Sequence, residues 1–333
     1  MDANWDRVFV ACVTPYKPNS EEVDEQNLRE LLEYFLRFRD KGLGGIVINP
    51  EAGDVFYLTR EEKQRNVEIA KEEVGEKLPV IAGVFGITTK ESVQVALDAK
   101  EYGVDGIFIF PPAGAQDVVH AWDPIKYPEV WIDQIKSIDS AVDMPIIVHP
   151  VGRFSPEYGI GMPAPFVAKA CSEIPNIVGW KMTYNYEGYI RVARELRSLS
   201  RHVAILAAPA NLFHAVLALD LFDGALTGSL NYSAELMLPH IKAFQEGNYK
   251  EAKRIWNAGL GELQEYIYSD MGRLHVRYKV ATWLRGLIRA PLMRSPMPKP
   301  KPEEIETIKK LLDKAGLETI EENVVLSYLR MLY

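Results

Sequence analysis

The 333-residue chain carries only two cysteines, Cys12 and Cys171. They are too few and too isolated for a disulfide framework or a thiolate metal cluster, so they read as reduced core thiols and point to a cytoplasmic setting. There is also no apolar stretch long enough to span a bilayer. The N-terminal MDANWDRVFVACVTPY begins acidic, and its apolar run is too short for a signal-peptide core. No membrane association is expected. Basic charge is sparse as well: the formal net charge is −8, with Lys and Arg interleaved among Asp and Glu, so no cationic stripe offers itself to a nucleic acid. The motifs HExxH, CxxC and the P-loop are all missing, and the acidic residues at predicted strand ends are too few for a divalent-cation site. Neither a metal nor a bound cofactor is expected.

What remains is the composition of an ordinary globular protein, 47% hydrophobic and 25% charged. Short β-branched runs alternate with stretches of helical period, the pattern of repeated βαβ units. Eight such runs stand at 8–13, 44–49, 78–86, 106–110, 145–149, 177–181, 202–207 and 224–229. Between them lie helical stretches such as TREEKQRNVEIAKEEVG and TKESVQVALDAKEYG, for which Thr59 and Thr88 or Thr89 are candidate N-caps. Runs apolar on both faces imply a parallel sheet covered by helices, and eight units close into a (β/α)₈ (TIM) barrel. An open doubly wound sheet is the alternative. Against it stands the first βα turn, TPYKPNS, which lacks the glycine-rich phosphate cradle of a dinucleotide fold.

Strand-like runs stop near residue 231, while helical periodicity continues to the C-terminus through a proline-punctuated linker, MRSPMPKPKPEE. The expected organisation is a catalytic barrel over residues 1–230 followed by a helical C-terminal region over 231–333.

In such a barrel, chemistry sits at the C-terminal ends of the strands. The titratable residues there are Glu51, Asp54, His149, Arg153 and Lys181. Lys181 ends the apolar strand NIVGWK, so it is either a snorkelling stem or an amine desolvated enough to lose its proton and attack a ketone. His149, followed by the strand-ending Pro150, is either a proton shuttle or a residue bonded to nearby backbone. The loop PEAGDVFYLT puts Glu51 and Asp54 around Gly53, which permits a tight or left-handed turn. Those carboxylates grip substrate groups or merely tie the loop to backbone donors. Arg153 is a candidate bidentate clamp for a substrate carboxylate, and Thr227 and Gly228 close the list at the eighth strand.

VTPY at 13–16, GDVFYLTREEK at 53–63, PNIVGWKMT at 175–183 and EGNYKEAKRIW at 246–256 together resemble the dihydrodipicolinate synthase and N-acetylneuraminate lyase family of Schiff-base aldolases. The similarity runs over nearly the whole chain. It implies a (β/α)₈ barrel with C-terminal helices, assembly as a homodimer or homotetramer, a 2-keto acid such as pyruvate as small-molecule substrate, and Lys181 as the lysine that forms the iminium. Departures are as informative. Where family members carry G-T-T-G-E, this chain has Pro50-Glu51-Ala52-Gly53-Asp54, and the family's proton-carrying tyrosine aligns with His149. A second tyrosine would fall near Pro112 or Ala113 and is absent. Dihydrodipicolinate synthesis itself is therefore not expected. The resemblance implies a carbon–carbon lyase with Lys181 and His149 as catalytic residues and Glu51, Ala52, Gly53, Asp54, Arg153, Thr227 and Gly228 around the substrate. The alternatives are a dehydratase or hydratase-aldolase of a 2-keto-3-deoxy sugar acid using the same iminium, and a ligand-binding paralogue without catalysis.

Overall fold

The computed structural model describes residues 4–112 and 123–332. Eight parallel strands close into a barrel: β1 (Val8–Ala11), β2 (Leu43–Ile48), β3 (Val80–Val84), β4 (Gly106–Ile109), β5 (Ile146–Val148), β8 (Ile177–Met182), β9 (Ala204–Ala207) and β10 (Gly224–Thr227). Each falls on one of the eight apolar runs. The ring is sealed where Val8 of β1 registers with Ala225 of β10. Nearly every strand residue is buried, because one face fills the barrel and the other meets the helical layer, which leaves no solvent face to be polar.

The helices α1 (Glu25–Leu36), α2 (Arg60–Val74), α3 (Thr89–Glu101), α4 (Glu129–Val142), α5 (Ala164–Glu173), α6 (Tyr186–Ser198) and α7 (Phe213–Leu217) return the chain between successive strands. Thr59 and Thr88 cap α2 and α3, each in a reciprocal capping box with Glu62 or Glu91. After the last strand, α8 (Leu230–Gln245) packs against β1, and the Tyr34 hydroxyl of α1 donates to Glu235 of α8 at 2.9 Å. Thus α8 takes the eighth place in the helical ring, and a boundary at residue 230 separates it from its own strand.

Two features extend the barrel. An antiparallel hairpin, β6 (Val151–Ser155) and β7 (Gly159–Gly161), rises directly after β5; it had no counterpart among the expected elements, its mixed sequence carrying no strand period. The second feature is the C-terminal set α9 (Tyr249–Ile255), α10 (Gly261–Tyr268), α11 (Leu274–Leu284), α12 (Pro302–Lys314) and α13 (Glu322–Leu332). The proline-rich linker between α11 and α12 is tied down by Arg294, which donates to Glu62 and to the Tyr57 carbonyl. Among the described residues, no helix is long and apolar enough to cross a membrane.

Candidate active site

The side chains of a barrel strand alternate between its interior and the surrounding helices. On β8, Trp180 turns outward, where its indole N–H donates to the Tyr184 hydroxyl at 2.9 Å. Gly179 and Lys181 share the opposite, inward face. A Cβ on Gly179 would press Leu206 and Ile147 at 3.2 and 3.3 Å, so the glycine keeps the layer beneath the lysine open. Lys181 rises from that layer to the barrel mouth, only 9% exposed, with Nζ 5.6 Å from the Phe108 ring centroid. Burial lowers its pKa to about 8, against an opposing pull from the Glu51 carboxylate. The snorkelling alternative does not describe this side chain, whose amine opens into a cavity and not into bulk solvent.

His149 directly follows β5, the strand next to β8 in the barrel, and is fully buried. Its ring stacks on Phe108 at 5.4 Å and meets Phe110 edge-on at 5.4 Å. Glu51 reaches across from the end of β2, its Oε2 lying 3.2 Å from His149 Nε2. The pair is within ion-pair distance, yet the angles make no hydrogen bond, and both ring nitrogens are unpartnered. Burial first, then the neighbouring Lys181 and His275, hold the imidazole pKa well below its ordinary value. A neutral ring able to accept a proton therefore faces the same space as a weakly basic amine.

Lys181, His149, Glu51, Ala52, Thr227 and Gly228 all line a single cavity of about 610 Å³. Three other expected contacts do not. Asp54 is buried, and its carboxylate accepts from Lys279 Nζ at 2.6 Å, so its charge is committed to α11. Asp54, and not Gly53, takes the left-handed backbone, with φ 62°. Gly53 is required for close approach instead: a Cβ there would stand 2.6 Å from the Cys12 carbonyl, while its own amide donates to Pro50 and its carbonyl accepts from Thr14. Arg153 sits exposed on the β6–β7 hairpin, outside the cavity lining. Of the two positions where a second family tyrosine would align, Ala113 lies outside the described residues.

The C-terminal helices supply wall residues with no place in the expected set. Tyr268, His275 and Tyr278 line the cavity. The Tyr278 hydroxyl donates to the Tyr268 oxygen, and the Tyr268 hydroxyl lies 3.2 Å from Thr227 Oγ1 and 3.3 Å from the Ala208 carbonyl. Hydroxyls from α10 and α11 are thereby wired to the end of β10. A cluster of suitable metal-ligand chemistry, Asp6, His202 and Asp223, stands at the opposite, N-terminal end of the barrel. Both Asp223 oxygens there accept from Arg197, which leaves that carboxylate no free charge for a cation.

A model of the Dihydrodipicolinate synthetase family matches residues 4–315. The chain belongs to that family. Its similarity to individual members is low but spans nearly their full length. It is 26% identical to the 4-hydroxy-tetrahydrodipicolinate synthase of Aquifex aeolicus over 93% of this chain and 97% of that one. It is also 26% identical to an uncharacterized DapA-like lyase of Thermofilum pendens, over 96% and 100%. Among solved structures, dihydrodipicolinate synthase from Aquifex aeolicus superposes with a TM-score of 0.78 at 24% identity, covering 95% of this chain and 99% of that one. YagE, a prophage protein of the family from E. coli K12 solved with pyruvate, gives 0.78 at 18% identity, covering 95% and 100%. The fold is thus the family's (β/α)₈ barrel with C-terminal helices, and the relatives named for an activity are synthases or lyases.

Proposed function

We propose that the protein is a class I lyase that cleaves or forms a carbon–carbon bond beside the carbonyl of a 2-keto acid through an iminium on Lys181. The observation that carries this reading is the desolvated Lys181 amine opening into the same cavity as a neutral, unpartnered His149. A family relative solved with pyruvate supports the keto-acid component.

In the cleavage direction the Lys181 amine adds to the C2 carbonyl of a 4-hydroxy-2-keto acid and expels water, leaving a cationic iminium that serves as an electron sink. His149 takes the proton of the C4 hydroxyl. The C3–C4 bond electrons then flow to the iminium nitrogen, releasing an aldehyde and leaving an enamine. Return of the proton to C3 and hydrolysis of the iminium yield pyruvate and the free amine. Glu51, 3.2 Å from His149 Nε2, stabilises the imidazolium formed on the way. The keto-acid carboxylate sits away from Glu51, at the end of β10, where the Thr227 hydroxyl can turn to donate to it. Asp54 and Arg153 have no part in this scheme.

The paired proton carriers Glu51 and His149 also favour a second reading, elimination of water from a 3-deoxy sugar acid through the same iminium. Incubation with 4-hydroxy-2-keto acids, with pyruvate release coupled to lactate dehydrogenase, separates the two. The lyase reading expects pyruvate and aldehyde in equal amounts, lost in Lys181→Arg; water loss without aldehyde would replace it with the dehydratase.

A further inference from the structure

The cavity is far larger than the chemistry at its floor requires. Its volume of about 610 Å³ lies in the range of about 300–1,000 Å³ that holds drug-sized ligands, and a three-carbon keto acid would leave most of it empty. The remaining space is bounded by Phe154 and Ile160 of the hairpin, Tyr186 at the start of α6, Leu212 after β9, and Met271 and Leu274 from the C-terminal region. Phe154, Met271 and Tyr186 are 69%, 49% and 38% exposed. Large apolar side chains held in water around one opening are the mark of a surface that a ligand covers.

The charges point the same way. Among the described residues, Lys181 is the only lysine in the lining, no arginine lines it, and the one carboxylate is Glu51. A phosphate ester has no guanidinium or second ammonium to meet it. Free hydrogen-bonding capacity is also scarce. The amide of Asn185 is spent, its Oδ1 accepting from Gly188 and its Nδ2 donating to Pro156. Among the described residues, the buried lining atoms above the floor that lack partners are Thr183 Oγ1 and Asn211 Oδ1. The polar groups of Thr183, Asn211 and His275 stand among apolar neighbours, so successive hydroxyls of a sugar chain would lie largely against Phe154, Ile160, Leu212 and Leu274 without partners, which is costly.

We infer that the aldehyde this enzyme releases or takes up is neutral and apolar, an aryl or long alkyl aldehyde, and not a polyol or a phosphate ester. The inference rests on the Schiff-base lyase reading and names the second substrate of that site.

The test runs the full-length enzyme in the synthetic direction, with pyruvate and either benzaldehyde, hexanal, glyceraldehyde or glyceraldehyde 3-phosphate. Adducts are identified by mass spectrometry, and parallel samples are reduced with borohydride. The expected result is a kcat/KM at least tenfold higher for benzaldehyde or hexanal than for either glyceraldehyde. Phe154→Ala, a change at an exposed hairpin position, should cut that preference at least threefold. A reduced pyruvate adduct on Lys181 together with preference for glyceraldehyde or its phosphate, or with no reaction of any aldehyde, overturns this inference and leaves the lyase reading standing. No adduct at Lys181 removes both.

Discussion

At the scale of single residues, the reactivity of this site reduces to how much water each group has lost. Lys181 is an ordinary lysine until the barrel interior strips its solvation, after which its pKa falls to about 8 and a substantial fraction is neutral near physiological pH. Burial also keeps His149 neutral. Because the amine is reactive only when unprotonated, the rate of reductive trapping by pyruvate should rise with pH through a midpoint near 8; a midpoint above 10 would show an amine no different from free lysine. Glu51 is the group that pulls the Lys181 pKa back up, so Glu51→Gln should move the midpoint to lower pH. At the neighbouring position, His149→Phe preserves the stacking on Phe108 but removes the proton carrier. It should lower kcat by about 100-fold or more, and a loss below threefold would assign proton transfer elsewhere.

At the scale of elements, buried polar pairs fasten the C-terminal helices to the barrel. Lys279 of α11 is fully buried, lies 4.0 Å from the Tyr16 ring centroid and donates to Asp54. This links the loop that carries Glu51 to the helix that carries His275 and Tyr278. Removing one partner strands a charge in a dry site, so Lys279→Met should cost about 3–5 kcal/mol in urea unfolding. The double variant Lys279→Met with Asp54→Asn, which keeps a residue type tolerant of the left-handed backbone, should recover a large part of that. Additive losses would mean the pair carries no coupling. Within the helical ring itself, His214 Nδ1 of α7 lies 3.2 Å from His240 Nε2 of α8, and the pair packs against Phe244 and Trp256. Burial and the neighbouring His214 push His240 down to about 3, and burial with Lys253 lowers His214. A histidine depressed in the folded state contributes stability that is complete above the unfolded pKa near 6.5 and is lost progressively as pH falls toward the folded value. From pH 7 to pH 5, His240 alone should cost about 2 kcal/mol. His240→Gln should flatten that slope in denaturant titrations, and an unchanged slope would locate the acid sensitivity in other groups.

At the scale of the whole molecule, the barrel was legible because its physics is periodic. Strands buried on both faces must be apolar throughout, and capping residues such as Thr59 and Thr88 mark where helices begin. That Lys181 and His149 face the cavity was legible for a related reason, since a titratable residue at the end of such a run is a conspicuous exception. Sequence could not decide which way a loop side chain turns. Asp54 and Glu51 stand three residues apart on one short loop, yet one faces α11 and the other the cavity. Nor could it show that helices after residue 231 return to the mouth with Tyr268, His275 and Tyr278. A trace of that was present: Arg277 and Lys279 interrupt the otherwise apolar HVRYKVATWL, and both are buried. A chain ending at residue 247 would lose that wall together with the partner of Asp54, so it should be inactive toward keto acids and much less stable than the full chain; retained activity would show the barrel to be self-sufficient. The central claim is the covalent one, and it is tested most directly by reducing the full-length enzyme with borohydride in the presence of pyruvate and mapping the product by peptide mass spectrometry. The account predicts one reduced keto-acid adduct, on the peptide containing Lys181. An unmodified Lys181, or an adduct on Lys63 or another lysine in its place, would contradict it.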